Sequence, residues 1–260
     1  MGIYEEILSR DIISKLGPAM GGAGYQIDVE TGLLTCPEYI GYEIPWIVTK
    51  PPKGMHCRML FSILFKIFGK ELGAPPIRCQ SCWKVVVKPK TVVDLMKLMW
   101  LQEGFKDDDR IYGCKCGIEK RTYVNGLYGG YFYNRTLEEG HECYEIVKDA
   151  VDEQLGDDTK VILKRGCTEF EMQYGDSQDW KIGERQQHFE ETIMGCFAPE
   201  KEAAPQPKFV KMHILRSWIE WACTYGDESY LELVDKPIHP TYREYQLEKA
   251  DEIEFAEGGV

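Results

Sequence analysis

The chain has 260 residues, 43% hydrophobic and 28% charged, enough for a substantial core in one large domain or two smaller ones. This composition excludes a chain that is disordered as a whole. Glu5 and Glu6 stand where an export signal has a basic start and an apolar run, so we expect a cytoplasmic protein. The most apolar stretch, residues 55–68, is shorter than the roughly 20 residues of a spanning helix and contains Arg58 and Lys66, so no membrane association is expected.

The formal net charge of −12 is unevenly distributed along the chain. Residues 50–121 contain 15 Lys and Arg against 7 Asp and Glu, a net charge of +8, whereas residues 1–49 carry −5 and residues 122–260 carry −15. A basic segment in an acidic protein indicates either a surface that binds a polyanion or pairing between segments of the molecule. The charge pattern leaves both interpretations open.

Helical spacing of apolar residues, with Thr91 and Thr136 as capping residues, predicts a series of amphipathic helices. In chain order they cover residues 3–16, 55–68, 91–104, 136–155, 181–194 and 210–221, and a last acidic helix begins at Thr241.

Alternating apolar residues and turn residues predict short strands between these helices. They form a hairpin around Thr31-Gly32, extended segments at Val85 to Val87 and Ile111-Tyr112, two paired strands within Thr122 to Asn134 joined at Asn125-Gly126, and strands at Val161 to Leu163 and Phe170 to Tyr174. The predicted class is α+β, with short antiparallel sheets and several amphipathic helices.

Changes in charge and composition divide the chain into four predicted segments. Residues 1–49 form an acidic helix and hairpin, residues 50–121 a basic module, and residues 122–198 an α+β segment with the aromatic hairpin. Residues 199–208, which contain three prolines, are the predicted linker to a helical segment at residues 209–260.

Four of the ten cysteines have the spacing of metal ligands. Cys79 and Cys82 form a Cys-x-x-Cys turn, and Cys114 and Cys116 form a Cys-x-Cys followed by glycine. Four thiolates at tetrahedral corners are a structural zinc site, so we expect Zn²⁺ held by these four residues. With its flanking extended segments the layout resembles a zinc ribbon with an inserted helix, over residues 78–121 only; the resemblance implies a closed, structural site.

An iron–sulfur cluster is one alternative, because it also takes four thiolates, and a site without any metal is the other. The remaining six cysteines, which lack close mutual spacing, are expected to be small buried hydrophobes. They are Cys36, Cys57, Cys143, Cys167, Cys196 and Cys223.

The basic module and the aromatic residues that follow it indicate a nucleic-acid ligand. Tyrosines of residues 122–134 are either a stacking platform for bases or the core of a small sheet, and burial of most of them is the expected outcome. The candidate phosphate-binding side chains are Lys84, Lys88, Lys90, Lys115, Lys120 and Arg121.

Signs of catalysis are few. Glycine-flanked nucleophile turns are absent from the sequence, and Glu169 and Glu171 on one face of a strand are the best candidate acidic site. We therefore expect a non-catalytic, zinc-stabilised binding protein, a subunit or accessory factor of a complex that handles RNA or DNA, whose acidic flanks contact protein partners. The alternative is an accessory or electron-transfer subunit of a multi-component enzyme, with zinc or an iron–sulfur cluster at the cysteines.

Overall fold

The computed structural model describes residues 16, 26–35, 45–52, 57, 60–198, 205–234 and 238. In this part of the chain the fold is α+β, with short antiparallel sheets and several helices, which confirms the predicted class. Within the same residues, none of the helices is both long enough and apolar enough to cross a lipid bilayer.

A five-stranded antiparallel sheet forms the centre of the molecule. Its strands are β3 (Trp46–Lys50), β4 (Trp83–Lys88), β5 (Gly113–Ile118), β6 (Tyr128–Asn134) and β7 (Lys160–Arg165), after a small ribbon of β1 (Gln26–Ile27) and β2 (Leu34–Thr35) at the predicted first hairpin. The order across the sheet is β3-β5-β6-β4-β7, with every neighbouring pair antiparallel.

The described helices are α1 (Gly69–Leu72), α2 (Ile77–Gln80), α3 (Val92–Gly104), α4 (Leu137–Gln154), α5 (Thr168–Tyr174), α6 (Gln186–Met194) and α7 (Lys208–Thr224), with a π-helical segment at Leu60–Phe65. Both predicted capping residues are confirmed. The Thr91 hydroxyl accepts a hydrogen bond from the Asp94 amide at 3.1 Å, and the Thr136 hydroxyl accepts one from the Glu139 amide at 3.2 Å.

The main core lies between one face of the sheet and helices α3, α4 and α7. Its buried side chains include Val85, Val87 and Phe132 from the sheet and Leu98, Val147 and Trp218 from the helices. A second core is formed by the π-helical segment, α5 and α6, with Phe68, Phe170 and Phe189. Helices therefore cover one face of the sheet, and the other face is available for a site.

Two strand predictions are wrong. Within residues 122–134 there is one strand, β6, and its hairpin partner is β5, so Asn125-Gly126 lies in the longer connection between them. Phe170 to Tyr174 belongs to helix α5, because Phe170 packs into the second core while Glu169 and Glu171 pair with basic side chains.

Other boundaries differ less, or lie outside the described residues. Helix α6 begins at Gln186, five residues after the predicted start. The predicted first helix, apart from Leu16, lies outside the described residues, as do residues 199–204 of the linker and the helix from Thr241. The central sheet takes strands from three of the four predicted segments.

Candidate functional site

The structure places the two predicted cysteine pairs on opposite faces of the sheet. Cys114 and Cys116 are two residues apart in β5, so both point to the same face, and both are fully buried in the main core. Cys79 lies in α2, and Cys82 packs with Val86 on the other face.

The zinc-ribbon module is therefore not confirmed. In the part of the chain that the structure describes, no group of three or more His, Cys, Asp or Glu side chains is arranged to hold a metal ion. Burial raises the pKa of the thiols of both Cys114 and Cys82 to about 12, so this shift does not distinguish the two pairs. Cys-x-Cys spacing fits a strand as well as a metal-binding turn, and here the strand forms.

Lysines are concentrated on the sheet face that the helices leave open. Lys84 and Lys88 of β4 point to this face, as do Lys160 and Lys164 of β7 and Lys115 of β5. The register sets Lys84 directly opposite Lys164, and Lys88 directly opposite Lys160. Like charges in directly opposed positions destabilise a sheet. The ion pair of Lys164 with Glu171 offsets this cost at one pair, so the repulsion falls mainly on Lys88 and Lys160.

The open face is the floor of a groove with a volume of about 970 Å³. Its described lining contains eight basic side chains and two acidic ones in a protein of net charge −12. The basic ones are Lys84, Lys88, Lys115, Lys120, Lys160, Lys164, Arg78 and Arg121, and the acidic ones are Glu119 and Glu169.

Five of the six predicted phosphate-binding residues line this groove; the exception is Lys90, which is ion-paired with Asp158 outside the groove. Sequence reasoning missed Lys160, Lys164 and Arg78. Lys160 and Lys164 are four residues apart, so in a strand they lie on the same face. The strand predicted at residues 161–163 was enough to predict this shared face.

The groove lysines differ in what holds them. Lys88 donates a hydrogen bond to the backbone carbonyl of Asn125 at 3.0 Å, and the Lys115 ammonium lies 4.9 Å from the centre of the Trp46 ring. Burial lowers the pKa of Lys88; the nearby cations, Arg121 among them, also lower it, and Glu119 opposes them. An anion bound beside Lys88 would relieve this repulsion.

Lys84 is the most buried of these cations, with 8% of its surface exposed. Its ammonium lies 2.8 Å from the sulfur of Cys167. Burial disfavours the charged ammonium, but the neighbouring Cys167 and Cys82 favour it, and the pKa of Lys84 is raised.

Arg121 is held within the protein at the rim of the groove. It donates hydrogen bonds to both carboxylate oxygens of Glu119, at 2.7 and 2.5 Å, and to Glu169 at 2.9 Å. Tyr131 donates to Glu119 at 2.9 Å. Although burial raises the pKa of Glu119, the bonds from Arg121 outweigh it and the pKa is lowered. Arg121 thus shapes the groove more than it offers a free charge.

The aromatic side chains of the groove have different exposures. Tyr131 and Tyr133 are buried in the small apolar cluster on the open face, which agrees with the prediction for most of these residues. Tyr123 is 45% exposed, and its hydroxyl donates to Glu169 at 2.9 Å. Tyr123, with half-buried Trp46 and Phe61, provides ring surface next to the lysines.

The predicted acidic site does not form. Glu169 is bound to Arg121, and Glu171 is ion-paired with Lys164 at 3.0 Å. Among the described residues that line the groove there is no histidine.

Comparisons with protein-family models, with curated proteins and with solved structures give no match. The site is therefore interpreted from its own geometry.

Proposed function

We propose that the protein binds single-stranded nucleic acid along the groove, as a binding component of a complex that handles RNA or DNA. The observation that carries this is the concentration of basic side chains over one open sheet face of an otherwise acidic protein. Lysine ammonium groups bind backbone phosphates without sequence preference and release counterions as they do so.

The aromatic side chains favour a single strand as the ligand. Unpaired bases stack on exposed rings such as Tyr123, whereas bases in a duplex are stacked on one another. The groove thus combines the two features of a single-strand site, a basic track for the backbone and ring surfaces for the bases.

Charge reversal inside and outside the groove tests this proposal. A double variant, Lys88→Glu with Lys160→Glu, changes two groove lysines. The matched control, Lys106→Glu with Lys208→Glu, makes the same charge change at two exposed lysines that are not part of the groove lining. Fluorescence anisotropy with a labelled oligonucleotide of about 12 nucleotides, as RNA and as DNA, measures the dissociation constant at several salt concentrations.

We expect the groove variant to bind at least about tenfold more weakly at low salt, with a shallower salt dependence, and the control to bind like the unmodified protein. Equal weakening by both variants would mean that binding is a general charge effect. The absence of binding to any oligonucleotide at low salt would overturn the proposal.

An accessory or electron-transfer subunit of a multi-component enzyme is the second candidate. It is favoured by four cysteines that line the same groove, Cys57, Cys79, Cys82 and Cys167. In that case the basic face would dock on an acidic protein partner, which would co-purify with the chain and be displaced by salt.

A further inference from the structure

Only one of the two cysteine pairs predicted from spacing lines the groove. Cys79 and Cys82 line the groove together with Cys57 and Cys167, whereas Cys114 and Cys116 are on the far side of the sheet. The four come from three separate segments: residue 57, the Cys-x-x-Cys at the end of α2, and the connection between β7 and α5.

Backbone hydrogen bonds hold two of these segments together. The amide of Cys82 donates to the carbonyl of Cys79 at 3.3 Å, which closes the Cys-x-x-Cys turn. The amide of Gly166 donates to the carbonyl of Cys82 at 2.8 Å, which places Cys167 beside that turn.

The backbone conformation and close surroundings of residue 166 require glycine. Its φ is +61°, and a Cβ atom there would lie 2.6 Å from the ring of Trp180. The chain thus makes a tight, glycine-dependent turn immediately before Cys167, which aims that residue at the groove.

Lys84 is placed to balance the charge of a metal centre at these cysteines. Its side chain is almost completely buried, and its ammonium lies 2.8 Å from the sulfur of Cys167. A metal ion bound by four thiolates has a net negative charge, which an adjacent buried ammonium offsets.

We propose that Cys57, Cys79, Cys82 and Cys167 are the ligands of a thiolate-bound metal centre, Zn²⁺ or a [4Fe–4S] cluster, at the edge of the groove. Both take four thiolates, and soft sulfur donors select these metals over hard cations. Among the described residues no group of three or more His, Cys, Asp or Glu side chains is arranged to hold a metal ion, so binding requires changes of χ1 that turn the cysteine sulfurs toward one another. The centre does not depend on the groove binding nucleic acid.

The first test is metal analysis of the full chain purified without oxygen or chelator. Metal content, acid-labile sulfide and the visible spectrum are measured for the unmodified protein and for Cys82→Ala and Cys167→Ala. The controls are Cys114→Ala and Cys116→Ala, whose side chains are in the main core. Circular dichroism confirms that each variant is folded.

We expect each unmodified chain to contain about one zinc ion, or about four iron atoms with acid-labile sulfide and visible absorption. The two control variants should retain the metal, and Cys82→Ala and Cys167→Ala should lose most of it. The identity of the metal separates the two occupants. Loss of metal in the Cys114 and Cys116 variants, but not in Cys167→Ala, would overturn the proposed ligand set. Absence of metal even after reconstitution with Zn²⁺, or with iron and sulfide, would overturn the metal centre itself.

A second test avoids substitutions that could prevent folding. The unmodified protein is alkylated with iodoacetamide with and without a chelator, and modified cysteines are identified by mass spectrometry. Cys57 is solvent-exposed in the structure, so its protection in the purified protein would be a specific sign of a bound metal. We expect chelation to expose Cys57 and Cys167 while leaving Cys114 and Cys116 unmodified; unchanged labelling of Cys57 and Cys167 would contradict the proposal.

Discussion

Arg121 illustrates how single residues define the groove. Its guanidinium joins Glu119, which follows β5, to Glu169 of helix α5, and so ties the sheet to the second core. Glu119 is only 6% exposed, so its charge depends on this partner.

Glu119→Gln should therefore destabilise the fold, by about 2 kcal/mol, because a charge-assisted pair is replaced by neutral hydrogen bonds. The folded-state pKa of Glu119 is below its unfolded value. The stabilisation it provides is thus fully present above the unfolded pKa of about 4.3 and is lost as the pH falls through the folded pKa.

Urea unfolding at several pH values measures this effect. The difference in unfolding free energy between the unmodified protein and Glu119→Gln should be constant from about pH 7 to 5 and shrink below about pH 4.3. The exposed Glu142→Gln serves as control and should change little at any pH. A pH-independent difference would show that Glu119 acts through packing and not through its charge.

Tyr123 is the groove tyrosine with an exposed ring. Tyr123→Ala should weaken single-strand binding about 5- to 150-fold, since stacking of one base contributes about 1–3 kcal/mol. Tyr123→Phe keeps the ring and removes only the hydrogen bond to Glu169, so it should bind nearly as well as the unmodified protein. Tyr225→Ala, an exposed tyrosine outside the groove lining, is the control for anisotropy measurements. Equal effects of Phe and Ala at position 123 would rule out stacking.

At the scale of elements, β4 and β7 carry the opposed lysines. Lys160 is the exposed member of its pair with Lys88 and lies on the edge strand of the sheet. A substitution that removes the repulsion between Lys88 and Lys160 should stabilise the free protein and weaken its binding to single-stranded nucleic acid.

Lys160→Thr should raise stability by about 0.5 kcal/mol, because it removes a like-charge pair and introduces a residue that favours strands. In thermal unfolding this corresponds to an increase in Tm of about 1–2 °C. The same variant should lower the magnitude of the salt slope for single-strand binding by about 0.7, the contribution of one phosphate contact. A lower Tm, or an unchanged slope, would show that Lys160 has a structural role instead.

For the whole molecule, pairing between segments neutralises part of the uneven charge. Basic side chains of residues 50–121 pair with acidic residues from the rest of the chain at Lys90–Asp158 and Arg121–Glu169. Lys88 instead lies over the open face, where it donates to the backbone carbonyl of Asn125. Pairing between segments thus accounts for part of the basic charge, and the groove lining still has eight basic side chains against two acidic ones.

A duplex should bind much more weakly than a single strand of the same length. Its bases cannot stack on the groove rings, and a rigid helix meets the acidic remainder of the protein as well as the groove. We expect at least about a tenfold difference in dissociation constant, equivalent to loss of one stacked base. Competition of unlabelled duplex against a labelled single strand measures it, and equal competition would contradict the proposed mode of binding.

The sequence alone determined features that depend on neighbouring residues. The helices capped by Thr91 and Thr136 could be predicted because the threonine hydroxyl accepts a hydrogen bond from the backbone amide three residues later, which has no partner within the first turn. The α+β class and most of the basic groove residues followed from periodicity and local charge.

Only the tertiary structure decided which residues meet. Strand alternation turned Cys114 and Cys116 into the core, whereas the pairing of β4 with β7 brought Cys167 to Cys82 and set the lysines of β7 opposite those of β4. Register and the choice of sheet face depend on contacts between residues far apart in the chain, which spacing along the sequence does not encode.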